Sequence, residues 1–204
     1  DESSDWYGIS ATSDNSMFAA VAMNNSNVYI SKDGGLTWNG TSIGLTLRDV
    51  VLSTDGLRMA LLGIDPYYGT GYILTSSNSG ETWITRSIAG EKKWNRITSS
   101  SDGELILATA YNDYFSISRN GGVTWENKTI LGKKNWAAVS SSSDGDRLVL
   151  AVNNGYIYTS SDGGESWIIQ TSAGYRPWTG VAISSDGSKI GAVADYSKNV
   201  FISQ

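Results

Sequence analysis

Aspartates, tyrosines, lysines and a few arginines carry whatever chemistry this chain performs, because it contains neither histidine nor cysteine. Without histidine there is no Ser-His-Asp triad and no imidazole zinc site. Without cysteine there are no disulfides, no thiolate nucleophile and no cysteine-held metal. Neither a metal nor a cofactor is expected. The same absence leaves the redox compartment open. Cleaving a glycosidic bond would take two facing carboxylates about 5–10 Å apart. Asp49, Asp65, Asp113 and Asp195 are the candidates, and nothing in the sequence selects a pair. A serine without a general base is no nucleophile. The expected activity is therefore binding, with no catalytic residue.

The residues suited to binding are aromatic and cationic. Trp6, Trp94, Trp136 and Trp178 recur in one register, with Leu47 in the second copy. Lys92, Lys133 and Arg176 stand just before this register and Tyr114 falls in a neighbouring loop. Indole plates ringed by a few polar groups suit a glycan, with a protein surface as the close second. The competing reading is that each indole packs against the next structural unit and each lysine is solvated loop charge.

These positions belong to an internal repeat. One turn pattern, Ser-x-[Asp/Asn]-x-Gly-x-[Thr/Ser]-Trp, occurs four times. Its copies are Ser31-Asp33-Gly35-Trp38, Ser76-Asn78-Gly80-Trp83, Ser118-Asn120-Gly122-Trp125 and Ser160-Asp162-Gly164-Trp167. A second set of turns lies between them, at Asp55-Gly56, Asp102-Gly103, Asp144-Gly145 and Asp186-Gly187, with Asp14-Asn15 as a degenerate first copy. The spacing between successive copies runs from 41 to 47 residues, and all 8 tryptophans fall in just two registers. Each repeat reads as four short strands; in the fourth copy these are roughly 136–141, 147–152, 155–160 and 166–171. No helical period appears. Four antiparallel strands repeated about every 42 residues predict an all-β chain, a single β-propeller over residues 1–204. Five blades fit, at approximately 1–44, 45–90, 91–131, 132–173 and 174–204.

The Ser-x-Asp-x-Gly-x-Thr-Trp turn resembles the Asp-box, or BNR repeat, of sialidases, xyloglucanases, sortilin-type receptors and photosystem II assembly factors. The resemblance implies that the box forms the hairpin between third and fourth strands, away from the active face. It makes the box residues structural. It also places two sets of loops on the opposite face: 42–47, 87–94, 130–136 and 172–178 between blades, and 23–27, 63–71, 110–114, 153–155 and 194–199 within them. These loops vary between repeats while the turns are nearly uniform, so a binding site is expected there. A sialidase would need an arginine cluster, and only Arg48, Arg96 and Arg176 are placed to reach the pore. The Phe-Arg-Ile-Pro segment of sialidases is missing, with Tyr175-Arg176-Pro177-Trp178 a faint echo. A glycoside hydrolase or sialidase relative is the alternative reading, and a self-assembling structural subunit the third. The serines Ser101 and Ser143, preceding the Asp-Gly turns, are expected to bond the turn backbone.

A net charge of −5 without a long basic run argues against nucleic acid. No stretch is apolar for the roughly 18 residues a membrane span needs, and no basic segment with an apolar run opens the sequence. Sequons at Asn24, Asn39 and Asn127, with abundant Ser, Thr, Gly and Asn, lean towards an extracellular or periplasmic setting. The last repeat is short. Asn199-Val200-Phe201-Ile202-Ser203 aligns with Asn27-Val28-Tyr29-Ile30-Ser31, and no fourth strand follows. Residues 1–5 span at most about 17 Å, too short to replace it. A three-stranded last blade is predicted, whose edge at 199–203 takes a strand from a partner or another subunit, or belongs to a longer chain.

Overall fold

The computed structural model describes residues 5–22, 25–196 and 200–203. Alternating apolar residues and tight turns dictate short antiparallel strands throughout; the only helical pieces among the described residues are two 3₁₀ turns, Ser87–Ala89 and Thr171–Ala173. No helix is long and apolar enough to cross a membrane. One four-stranded sheet runs in sequence order through β1 (Trp6–Ala11), β2 (Phe18–Ala22), β3 (Asn27–Ser31) and β4 (Asn39–Ser42). A second runs through β5 (Thr46–Leu52), β6 (Met59–Ile64), β7 (Gly71–Ser76) and β8 (Ile84–Arg86).

The next eight strands form one sheet. It contains the meander β9 (Trp94–Ser99), β10 (Ile106–Asp113), β11 (Phe115–Ser118) and β12 (Glu126–Lys128). It also contains the meander β13 (Lys134–Ser141), β14 (Leu148–Val152), β15 (Ile157–Ser160) and β16 (Ile168–Gln170). A long β10 joins the two, pairing Tyr111 with Asn135 and Asp113 with Lys134. The final sheet has three strands, β17 (Trp178–Ile183), β18 (Ile190–Ala194) and β19 (Phe201–Ile202). Among the described residues no fourth strand joins this sheet. Whether residues 1–4 or Asn199 take part lies outside the described residues.

The Ser-Asp-Gly-Trp turns hold themselves with their own side chains. In the first, the Ser31 hydroxyl donates to Asp33 Oδ1 (2.7 Å) and accepts from the Gly35 N–H (2.9 Å). Asp33 accepts in turn from the Thr37 N–H and hydroxyl, at 2.9 and 2.6 Å. Those donors hold the Asp33 carboxyl down at about pKa 2. Trp38, Trp125 and Trp167, though not Trp83, also point the indole N–H at their own turn's glycine carbonyl, as in Trp167 to Gly164 at 3.1 Å. Gly164 sits at φ +90° with the Ile117 side chain 2.5 Å from where a Cβ would lie, so only glycine fits. Asp-Gly turns follow the same logic one residue off the expectation. Ser100 and Ser142, not Ser101 and Ser143, place their hydroxyls against Asp102 and Asp144 and accept the Leu105 and Arg147 N–H groups. Ser101 and Ser143 instead use their backbones between units: Thr54 N–H donates to the Ser101 carbonyl, Ser101 N–H to Ser143 and Ser143 N–H to Ser185, at 2.7–2.9 Å. A shift of one residue along a strand reverses which side chains face inward.

The core is divided among the interfaces between successive units. One cluster joins Val21 and Val28 to Leu47, Val50 and Leu61; the next joins Leu62 and Ile73 to Trp94 and Ile106. Phe115 and Ile117 meet Trp136 and Leu148, and Val149 and Ile157 meet Trp178 and Ala192. Each unit therefore buries its apolar face on the one before, the energetic pattern of a repeat protein. Along the inner edge β1 packs on β5, β5 on β9, β9 on β13 and β13 on β17; between β1 and β17 no comparable contact exists. Among the described residues the two end faces are uncovered. Trp6 is 57% exposed and Val193 42%, although Trp94, Trp136 and Trp178, and Val21, Leu62 and Ala151, are buried at the corresponding positions.

Candidate functional site

Each inner strand carries a bulge one residue after the Trp/Leu register. The ladder skips between Trp6 and Gly8, Leu47 and Asp49, Trp94 and Arg96, Trp136 and Ala138, and Trp178 and Gly180. A bulge leaves the extra residue unpaired and re-aims its side chain. The residues so placed are Tyr7, Arg48, Asn95, Ala137 and Thr179. Only the first three units put large polar groups there.

Tyr7 and Arg48 converge with Arg96, the residue that follows the bulge position Asn95. Arg48 Cζ lies 5.6 Å and Arg96 Cζ 5.1 Å from the centre of the Tyr7 ring. Hydrogen bonding from Arg96, aided by both guanidinium charges, holds the Tyr7 hydroxyl below its ordinary pKa against the opposing effect of burial. Asp49 lies beside them, accepting the Val50 N–H at 3.0 Å and the Ile97 N–H at 3.1 Å. It joins β5 to β9. Burial pushes its carboxyl up to about 6, partly offset by those N–H groups and by Arg96. Asn95 makes the next link, donating to the Trp136 carbonyl at 2.6 Å, while Arg96 Nη1 donates to the Asn95 carbonyl at 3.0 Å. From the sequence, Arg48 is expected on the pore-face loops and Arg96 and Asp49 only as enzyme candidates, while Tyr7 carries no expectation. No residue-type signal marks the bulge, because the flanking positions also change between repeats, as Gly8, Asp49, Arg96, Ala138 and Gly180 do.

The expected indole plates are mostly closed. Trp94, Trp136 and Trp178 are buried between units and offer no face to a ligand. Trp136 meets Phe115 edge-on at 5.5 Å and donates its N–H to the Asp113 carbonyl; Trp178 meets Phe201 at 5.1 Å. Trp6 is the exposed member, since nothing among the described residues covers that face of β1. Lys92 is also committed: its ammonium donates to Asn127 Oδ1 (2.6 Å) and Ser116 Oγ (3.1 Å) and lies over the Trp94 ring. Burial lowers its pKa. Arg176 stacks on Phe201 at 4.5 Å and donates to the Ala173 carbonyl. Lys133 remains outward, paired with Asp113 at 3.0 Å and over the Tyr114 ring at 5.1 Å.

Both loop sets lie at one end of the strands, as antiparallel connection requires, and they are pinned to each other. Gly71 and Lys92 exchange backbone hydrogen bonds, as do Gly155 and Arg176. Exposed tyrosines stud this end: Tyr67, Tyr68, Tyr111, Tyr175 and Tyr196. No cluster of acidic residues among those described is arranged to hold a metal ion.

No protein-family model and no curated protein matches the chain. Solved structures do. The chain is similar to the Niastella koreensis GH74 enzyme (TM-score 0.75, 17% identity), covering 97% of itself and 30% of that chain. It is similar to a chain of the nidogen/laminin complex (TM-score 0.74, 10% identity; 98% and 75% covered). YCF48 bound to D1 peptide superposes with a TM-score of 0.72 at 13% identity, over 98% of this chain and 63% of that one. The chain has a β-propeller fold. It spans under a third of the GH74 enzyme's chain. At these identities the likeness is one of fold, and fold does not carry function.

Proposed function

We propose that this β-propeller consists of five blades of Asp-box repeats and is a non-catalytic module binding a carboxylate-bearing glycan. One blade corresponds to each four-strand meander and the last to the three-stranded sheet. The observation that carries the ligand assignment is the convergence of Arg48 and Arg96 on Tyr7 from three successive inner strands. Guanidinium groups present N–H donors in a fork that fits a planar carboxylate. The half-open Tyr7 ring and the exposed Trp6 supply apolar surface for a sugar ring. The extracellular or periplasmic setting proposed from the composition suits such a ligand.

On a glycan array, binding is expected to concentrate on sialylated and uronate-containing glycans and to disappear with Arg48→Ala or Arg96→Ala. Binding confined to neutral glycans, or unchanged in both variants, contradicts the assignment. The protein-surface reading has its own support in the exposed tyrosines of the loop end, a residue type favoured in recognition surfaces. Capture of acidic peptides with no glycan bound would favour it instead.

The absence of catalysis is proposed because three of the four candidate carboxylates are occupied. Asp65 accepts the Tyr67 and Tyr68 N–H groups. Asp113 accepts the Tyr114 N–H and pairs with Lys133. Asp49 is wedged between two strands. Sialosides and β-glucans are expected to show no hydrolysis above background. Turnover abolished by Asp49→Asn, Asp113→Asn or Asp195→Asn would reverse this.

A further inference from the structure

The inner strands are tied to one another by side chains that accept a neighbouring strand's N–H. At two interfaces the acceptor is a serine hydroxyl: Ser10 takes the Leu52 N–H at 3.1 Å, and Ser140 takes the Ile183 N–H at 3.3 Å. Between β5 and β9 the acceptor is Asp49, which takes the Ile97 N–H at 3.1 Å. A hydroxyl serves this purpose elsewhere, so the link itself needs no charge. The ionisable acceptor stands where Tyr7, Arg48 and Arg96 meet.

Asp49 lies one residue behind each of those three side chains. It follows Arg48 in β5, and the Ile97 N–H that it accepts follows Arg96 in β9. On the β1 side it abuts Gly8, the residue after Tyr7. A Cβ added at Gly8 would lie 2.9 Å from Asp49 Oδ1, so β1 carries a glycine where the acid needs room. The strands packed on β5 are β1, β2, β6 and β9. Neither β2 nor β6 contains a titratable residue, β1 contains only Tyr7 and β9 only Arg96. The charges facing Asp49 are therefore those of the site itself. With Asp49 ionised, the cluster carries two guanidinium charges and one carboxylate. With Asp49 protonated, it carries the two positive charges alone. Burial sets this change at about pH 6.

We propose that the site takes up its carboxylate ligand together with a proton on Asp49. The inference rests on the reading of Tyr7, Arg48 and Arg96 as a carboxylate site, and it names what regulates that site. An arriving anion repels the Asp49 charge where burial weakens screening, and so favours the protonated acid. Linkage is reciprocal, so the proton favours the anion by the same factor. Well below pH 6 Asp49 is neutral with or without ligand, and affinity is highest. As pH rises through 6, each binding event must draw a proton from solution, and affinity falls.

The probe is a uronate oligosaccharide titrated calorimetrically into the intact protein at pH 5.0 and pH 7.5. Carboxyl groups with ordinary pKa values of about 3.5 are ionised at both, and the chain has no histidine to titrate between them. Binding is expected to be at least about fivefold tighter at pH 5.0, as a one-unit rise in the Asp49 pKa on binding would give. At pH 6.5, titrations in buffers of different ionisation enthalpy should show uptake of about half a proton per ligand. That measurement needs no variant. Asp49→Asn should bind at pH 7.5 as tightly as the parent does at pH 5.0, without proton uptake. Equal affinity at both pH values, no proton uptake by the parent, or an Asp49→Asn protein that keeps the parent's pH dependence would overturn this inference and leave the carboxylate reading standing. Binding at neither pH would overturn both.

Discussion

Trp136→Ala is expected to lower the free energy of unfolding by about 3–5 kcal/mol, the usual cost of emptying a large aromatic site in a core. The indole is buried among Phe115, Leu148 and Leu150, touches the Tyr158 ring as well as Phe115, and satisfies the Asp113 carbonyl. Its loss opens a void between two units and orphans an acceptor. Trp6→Ala, at the corresponding position of the first unit, should cost only about 0.5 kcal/mol, as for ordinary surface changes. Trp6 keeps an edge contact with Tyr29 at 5.2 Å but no unit covers it. Urea denaturation of both variants measures the contrast. Equal losses would mean that the open end of the arc is closed in solution.

Asp49→Asn should change how stability depends on pH. The folded-state pKa of Asp49, about 6, lies above the ordinary 3.8. Well below pH 3.8 the carboxyl is neutral in both states and costs nothing. As pH rises to 6 the unfolded chain ionises first, so this group's contribution is lost, reaching about 3 kcal/mol for two pKa units. The asparagine variant has no such slope. Relative to the parent it should gain about 2 kcal/mol between pH 4 and pH 7, since the unfolded carboxyl is already more than half ionised at pH 4. Asp14, Asp33 and Asp186, held down at about 2 by their turn hydroxyls and N–H groups, titrate in the opposite sense. They are common to both proteins and cancel in the difference. Thermal unfolding at pH 4.5 and 7.5 tests this; a constant difference between the variants would contradict it.

The architecture was legible because turns repeat with their chemistry. The strands expected at 136–141, 147–152, 155–160 and 166–171 appear at 134–141, 148–152, 157–160 and 168–170, placed by Asp144-Gly145 and by the Ser160 turn. Aligning Phe201 with Tyr29 placed the strand Phe201–Ile202. The site was less legible. A single-residue bulge shifts the two-residue period without leaving a residue type behind, so Tyr7 passed as one more aromatic. The fate of the tryptophans depended on the unit in front. Trp94 and Trp178 are covered by a preceding unit and Trp6 is not, although the three read alike. Lys92 looked solvated because the groups that hold it, Ser116 and Asn127, lie 24 and 35 residues away.

The central claim is that Tyr7, Arg48 and Arg96 receive a carboxylate. The most direct measurement is a calorimetric titration with a uronate oligosaccharide and with the same oligosaccharide after its carboxyl groups have been reduced to alcohols. The sugar rings are unchanged and only the charge is removed. The account predicts that the acidic form binds at least tenfold more tightly, about 1.4 kcal/mol, and that Arg96→Ala erases the difference. Equal affinity for the two forms, or binding of neither, would contradict it.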